Sequence, residues 1–188
     1  FTRLKERREV LNGKISDPYD TFEKIKSITK RFPESKVFWL IGKWGKKDRN
    51  ISIKNSGHRK LIKSLSDEGI TIGLHPSFAS FKNKETVKGE KKELESVCDK
   101  EISISRQHYL RFQASSTLKD LNSVGFVNEY SMGFAEHVGF RSGTARSHNW
   151  FDLLSNQSTD LIIHPFAYMD GTLREYMNLS QDESKTMI

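Results

Sequence analysis

Two histidines stand where apolar runs give way to turn residues. In "ITIGLHPSFAS", residues 70–80, the run stops at His75, and proline and small polar residues follow. In "EISISRQHYLRF", residues 101–112, the next such run gives way to Arg106, Gln107, His108 and Tyr109. Neutral imidazole nitrogen binds zinc at ~2.0–2.1 Å, so two imidazoles on one rim suit a divalent metal; a catalytic site usually adds a third protein ligand and an open position. Read singly, each histidine is as well explained as a strand cap or a hydrogen-bonded, half-buried ring. Their joint placement favours the metal. Arg141 lies between Gly139 and Gly143, where the backbone could pass close to a ligand or simply turn. Asp170, after "LIIHPF", reads either as a helix cap or as the partner of a buried arginine.

The elements that must hold these residues follow from hydrophobic spacing. Helices are expected over 2–12 and from a capped start near Thr21 to Pro33, with Phe22, Ile25 and Ile28 on one face. The apolar run 37–41 ("VFWLI") reads as a strand, and 57–67, 86–97 and 116–123 read as helices carrying Leu61, Leu65, Val87 and Leu94. Between them lie strands at 70–74, 101–105 and 126–130, with a further candidate at 161–166 and a last helix from 180. Strands alternating with helices every ~25–30 residues form right-handed βαβ units, hence a parallel sheet or barrel. Reactive groups in such folds sit at the C-terminal ends of strands, where the loops converge. Two helices precede the first strand, so a strand upstream of Phe1 is expected.

At 188 residues the chain is expected to form one domain, 1–188. The 12 phenylalanines predict an aromatic-rich core. No stretch nears the ~20 apolar residues of a membrane span, and there is no signal peptide pattern. The single cysteine, Cys98, leaves no disulfide framework or cysteine metal cluster and suits a reducing compartment. A cytoplasmic location is the expectation, although an upstream targeting segment would change it; the oligomeric state is not legible. Net charge is +7, with the basic excess in the first third. Nucleic acid is not the expected partner, because basic and aromatic residues do not combine into a stacking motif. Phosphate-binding loops, G-x-G-x-x-G, H-E-x-x-H and G-x-S-x-G are absent.

With these residues in order, the chain resembles the polysaccharide deacetylases of the NodB-homology type, carbohydrate esterase family four, and more closely a divergent bacterial branch of them. "TIGLHPSFAS" is similar to the family's E-I-G-x-H-[ST]-x-x-H through Ile72, Gly73 and His75. "SRQHYLRF" is similar to R-x-P-Y through Arg106 and Tyr109, and "GFRSGT", "WFDL" and "PFAYMDGTL" resemble segments of the divergent branch. The resemblance runs over nearly all of the chain. It implies a distorted (β/α) barrel, incomplete at both ends, and a metal-dependent hydrolase that removes acetyl groups from a bacterial polysaccharide or its precursor.

Two positions depart from the pattern. Ala79 stands where the family has its second histidine, and His108 replaces the proline of R-x-P-Y. The resemblance then implies a divalent metal, zinc first, on His75 and His108, with His108 taking over the lost ligand. Arg106 would orient a catalytic carboxylate and His164 would serve as general acid. Ser77, Tyr109 and Arg141 would face a carbohydrate substrate. The family's first-strand Asp-x-Asp motif has no match, so this stretch of chain is expected to be inactive by itself. A glycan-binding protein of the same fold, without hydrolysis, is the alternative.

Overall fold

Asparagine side chains start the two long helices. The computed structural model describes residues 2–188. These divide into two compact units, up to Lys36 and from Val37 onward, each described by itself. In the first, α1 (Thr2–Leu11) is charged on all sides, and Arg7 pairs with Asp17 at 3.0 Å. Helix α2 (Phe22–Arg31) has Glu23 in its first turn and Lys30 and Arg31 in its last, the arrangement the helix dipole favours.

The second unit holds β1 (Lys36–Trp39, which begins one residue earlier), α3 (Ser56–Asp67), β2 (Thr71–Leu74) and α4 (Lys84–Cys98). Then come β3 (Ile104–Ser105), α5 (Lys119–Val124), β4 (Asn128–Glu129), β5 (His148–Asp152), β6 (Gln157–Ile163) and α6 (Gln181–Met187). Asn55 caps α3 by accepting from the His58 N–H, and Asn83 caps α4 by accepting from that of Thr86. Val87, Leu94, Val97 and Cys98 recur at helical spacing on the buried side of α4, which packs against α3 and α5. Gly125 ends α5 at φ 87°, and Lys91 of α4 donates to the Val124 and Gly125 carbonyls, so a buried ammonium closes that helix end.

Among the described residues the six strands form one sheet in the order β1-β2-β3-β4-β6-β5. The pairs β2–β3, β3–β4 and β4–β6 are parallel, and β5 runs antiparallel to β6. The expected α/β class holds, but the barrel does not: the sheet is open, with β1 at one edge and β5 at the other. The β5–β6 hairpin explains the open side. It adds a reversed strand where a barrel would continue with a parallel one.

The core is aliphatic, which corrects the expectation of an aromatic one. Ile62, Leu65, Leu74, Leu94, Leu118, Leu121, Leu161 and Ile163 are fully buried, with Phe126 the one phenylalanine among the largest buried side chains. Several other phenylalanines carry arginines instead: Phe166 under Arg106, Phe78 and Phe81 under Arg111, Phe112 under Arg141. These cation–π pairs leave the aromatic faces near loops rather than between sheet and helices. Gly73 lies in β2 because a Cβ there would come within 2.7 Å of both Phe38 and Ile104.

Candidate functional site

The parallel register lines up four side chains. Leu74, Ser105, Glu129 and Ile163 stand opposite one another across β2, β3, β4 and β6. One residue further on, His75, Arg106, Tyr130 and His164 therefore form a row at the C-terminal ends of these strands. The ladder continues through them: Arg106 N–H donates to Leu74 O, Tyr130 N–H to Ser105 O and His164 N–H to Glu129 O. His75 N–H donates to Trp39 O, which ties the row to β1.

His75 and His108 come together at this rim, their ring centroids 4.9 Å apart. The His75 Nδ1 lies 2.5 Å from the Arg106 carbonyl oxygen. A carbonyl only accepts, so Nδ1 carries the hydrogen and the lone pair is on Nε2. Burial pushes the His75 pKa down to about 4, so the ring is neutral at pH 7. His108 is held likewise, its Nδ1–H donating to Asp48 Oδ1 at 2.9 Å. Asp48 is 4% exposed and also accepts the backbone N–H groups of Phe78 and Ala79, at 2.7 and 3.4 Å. Imidazoles whose Nδ1–H groups are fixed by a carbonyl and by a carboxylate are the arrangement found behind metal-ligating histidines. Among the described residues, however, no group of three or more His, Cys, Asp or Glu is placed to hold a metal.

Asp48 escapes a sequence reading because it sits in "GKWGKKDRN", among four cations that look like a solvated loop. Its only signal is being the lone acid there, after a strand. Ala79 takes part through its backbone N–H alone.

Arg106 donates from Nη1 to the Tyr130 carbonyl at 3.0 Å and lies 4.2 Å above the Phe166 ring. Gly133 makes room for that ring, since a Cβ there would come within 2.4 Å of it. His164 stacks on Tyr130 at 4.3 Å, with Nδ1 bonded to the Ser147 hydroxyl at 2.9 Å and Nε2 to Asn128 Oδ1 at 2.7 Å. Behind the row is Glu129, fully buried and hydrogen-bonded by the Ser105 and Ser131 hydroxyls. Burial raises its pKa to about 7. Sequence reading missed Glu129, whose signal was an acid inside the apolar run "FVNEY".

Tyr109 is 57% exposed, adopts φ 59°, and packs against His108 at 4.4 Å. It walls three depressions. One, of about 500 Å³, is lined by His75, Arg106, Tyr168, Asp170, Glu175 and Tyr176 among others. A second, also about 500 Å³, is lined by His108, Leu40, Lys46, Lys47 and Arg49. The third, about 200 Å³, contains Arg141 and His137. Ser77 is elsewhere: it is buried, its N–H donates to Glu90 at 3.0 Å, and its Cβ lies where a side chain on Gly42 would go. Of the residues expected to act, His75, Arg106 and Tyr109 share one cleft and His108 adjoins Tyr109 in the next. Arg141 lies in the third, and His164 follows Tyr130 along the row.

The sequence matches no family model and no curated protein. Among solved structures the chain is similar to a protein from Mycobacterium smegmatis provisionally assigned as a polysaccharide deacetylase. The match has a TM-score of 0.41 and 17% identity, over 57% of this chain. It covers 35% of that structure, so the chain spans about a third of its length. No described helix is long and apolar enough to cross a membrane.

Proposed function

We propose that this rim is part of the hydrolytic centre of a metal-dependent carbohydrate deacetylase. The supporting observation is the pair of adjacent imidazoles, ring centroids 4.9 Å apart, whose Nδ1 atoms are engaged by Arg106 O and Asp48, so that Nε2 is the nitrogen each ring keeps for a ligand. That donor chemistry fits a divalent cation, zinc first, which His75 and His108 would hold. When bound, the ion would polarise an acetyl carbonyl and lower the pKa of a water molecule.

The chain's own residues have separate tasks. Asp48 keeps the His108 tautomer, and the Arg106 carbonyl keeps that of His75. The adjoining cleft, of about 500 Å³, has room for a sugar ring, with Tyr168 and Tyr176 among its walls. Asp170 and Glu175 line the same cleft, so their carboxylate oxygens are the acceptors available for a proton leaving the water. His164, its two ring nitrogens engaged by Ser147 and Asn128, supports Tyr130 in this reading and is given no proton step.

A metal titration tests the proposal. One equivalent of zinc is expected to bind, with loss in His75→Ala and His108→Ala and retention in His164→Ala. Zinc-loaded full-length protein should release acetate from an N-acetylated oligosaccharide. Absence of both zinc binding and acetate release would overturn it. A non-hydrolytic glycan-binding protein is the second reading, favoured by the lack of a third ligand among the described residues. It predicts glycan binding with no metal and no acetate.

A further inference from the structure

We infer that the cleft beside His108 is an anion subsite that recognises a carboxylate-bearing sugar of an acidic glycan. This rests on the carbohydrate reading above and adds the charge of the substrate.

Three cations, Lys46, Lys47 and Arg49, line this cleft of about 500 Å³ together with Leu40, His108 and Tyr109, and no acid lines it. All three are exposed, and none forms an ion pair among the described residues. Three exposed cations against the one buried Asp48 carboxylate behind His108 leave a net positive potential in this concavity.

The loop that carries them is fixed rather than loose. Asp48, between Lys47 and Arg49, turns inward to His108, Phe78 and Ala79. Gly45 N–H donates to Asp48 O, and the Asn50 side chain donates to Gly42 O across the base of the loop. With residue 48 anchored inward, its neighbours are presented outward. The Lys47 ammonium also lies 5.3 Å from the centroid of the Tyr109 ring, a cation–π contact with the wall shared with the His75 cleft.

A sugar rather than a nucleic acid suits the dimensions. The cations serve one short cleft instead of an extended groove, and no row of aromatic platforms accompanies them. Trp44, 72% exposed in the same loop, offers a single flat apolar face.

The test compares two hexasaccharide probes by calorimetry: an anionic hyaluronan hexasaccharide, which alternates glucuronate with N-acetylglucosamine, and uncharged chitohexaose. Tighter binding of the hyaluronan probe, by about tenfold at low salt, is expected. The triple variant Lys46→Gln, Lys47→Gln, Arg49→Gln should abolish that preference and leave chitohexaose affinity and the circular dichroism spectrum unchanged. Equal binding of the two probes, or a preference that survives the triple variant, would overturn the subsite and leave the carbohydrate reading standing. Binding of neither probe would overturn both. Salt-sensitive capture of single-stranded DNA, lost in the triple variant, without glycan binding, would replace the inference with a nucleic-acid one.

Discussion

Asp48 and His108, 60 positions apart in sequence, share a 2.9 Å hydrogen bond from Nδ1–H to Oδ1. The same carboxylate accepts from Phe78 and Ala79, so it joins the segments that follow β1, β2 and β3. Removing it leaves buried donors without a partner, at about 1–3 kcal/mol. Asp48→Ala is therefore expected to lower unfolding free energy by that amount in urea titration. Zinc affinity should fall about 10–100-fold, because the His108 tautomer is no longer imposed. Asp48→Asn, which keeps an acceptor oxygen, should lose less of both; an unchanged zinc affinity in Asp48→Ala would separate this pair from the site.

Glu129 and His75 give opposite pH dependences. In the fold, burial holds the Glu129 carboxyl at about 7 against its usual 4.5, so the native state keeps a proton that the unfolded chain releases. Its stabilisation is complete below 4.5 and is lost as pH rises through about 7. His75, depressed by burial from 6.5 to about 4, stabilises above 6.5, and that is lost as pH falls through about 4. Between 4.5 and 6.5 the two slopes, each up to about 1.4 kcal/mol per pH unit, oppose each other. Glu129→Gln should thus acquire a stability that rises with pH across this window, read by urea unfolding in EDTA. A pH profile identical to that of the parent protein would show that Glu129 keeps an ordinary carboxyl.

Elements whose apolar pattern is local were legible in the sequence. The runs ending at Leu74 and Ser105, and the helical spacing of Leu61, Leu65, Val87 and Leu94, put β2, β3, α3 and α4 within a few residues of expectation. β5 was not read, and β6 was read only from Leu161, because its first half, "QSTD", is largely exposed and carries little apolar signal. The rim was legible as well, since strand ends mark it: His75 and Arg106 follow directly. Asp48 and Glu129 were not, as Asp48 meets His108 60 positions away and Glu129 meets Ser105 24 positions away. Sheet closure was the other loss. Strand-helix alternation suits an open sheet and a barrel equally, and the β5–β6 reversal is what distinguishes them.

Gly133 is expected to tolerate no side chain. An added Cβ would meet the Phe166 ring at 2.3–2.4 Å, and the ring has no flexible end to move aside. Gly133→Ala should destabilise by about 1–3 kcal/mol as an overpacked position. Adding Phe166→Leu should return part of that stability while depriving Arg106 of its platform. Thermal unfolding of the single and double variants checks this; a single variant with unchanged Tm would refute the packing argument.

Arg106 contributes to this site through two different atoms groups, and one substitution separates them. Its backbone carbonyl holds His75, whereas its guanidinium binds Tyr130 O and stacks on Phe166. Lysine keeps the charge and the backbone but cannot make the planar stack. Arg106→Lys is therefore expected to lose about 1–2 kcal/mol of stability, the worth of one hydrogen bond and a partly desolvated cation–π contact. Zinc affinity should remain within about threefold, since the His75 acceptor is untouched. If the guanidinium instead orients a catalytic carboxylate, as the family resemblance implies, acetate release by the zinc-loaded full-length protein should fall in kcat with KM unchanged. A joint loss of zinc affinity and stability would contradict the division, because it would mean that the stacked guanidinium, and not the carbonyl alone, sets the position of His75.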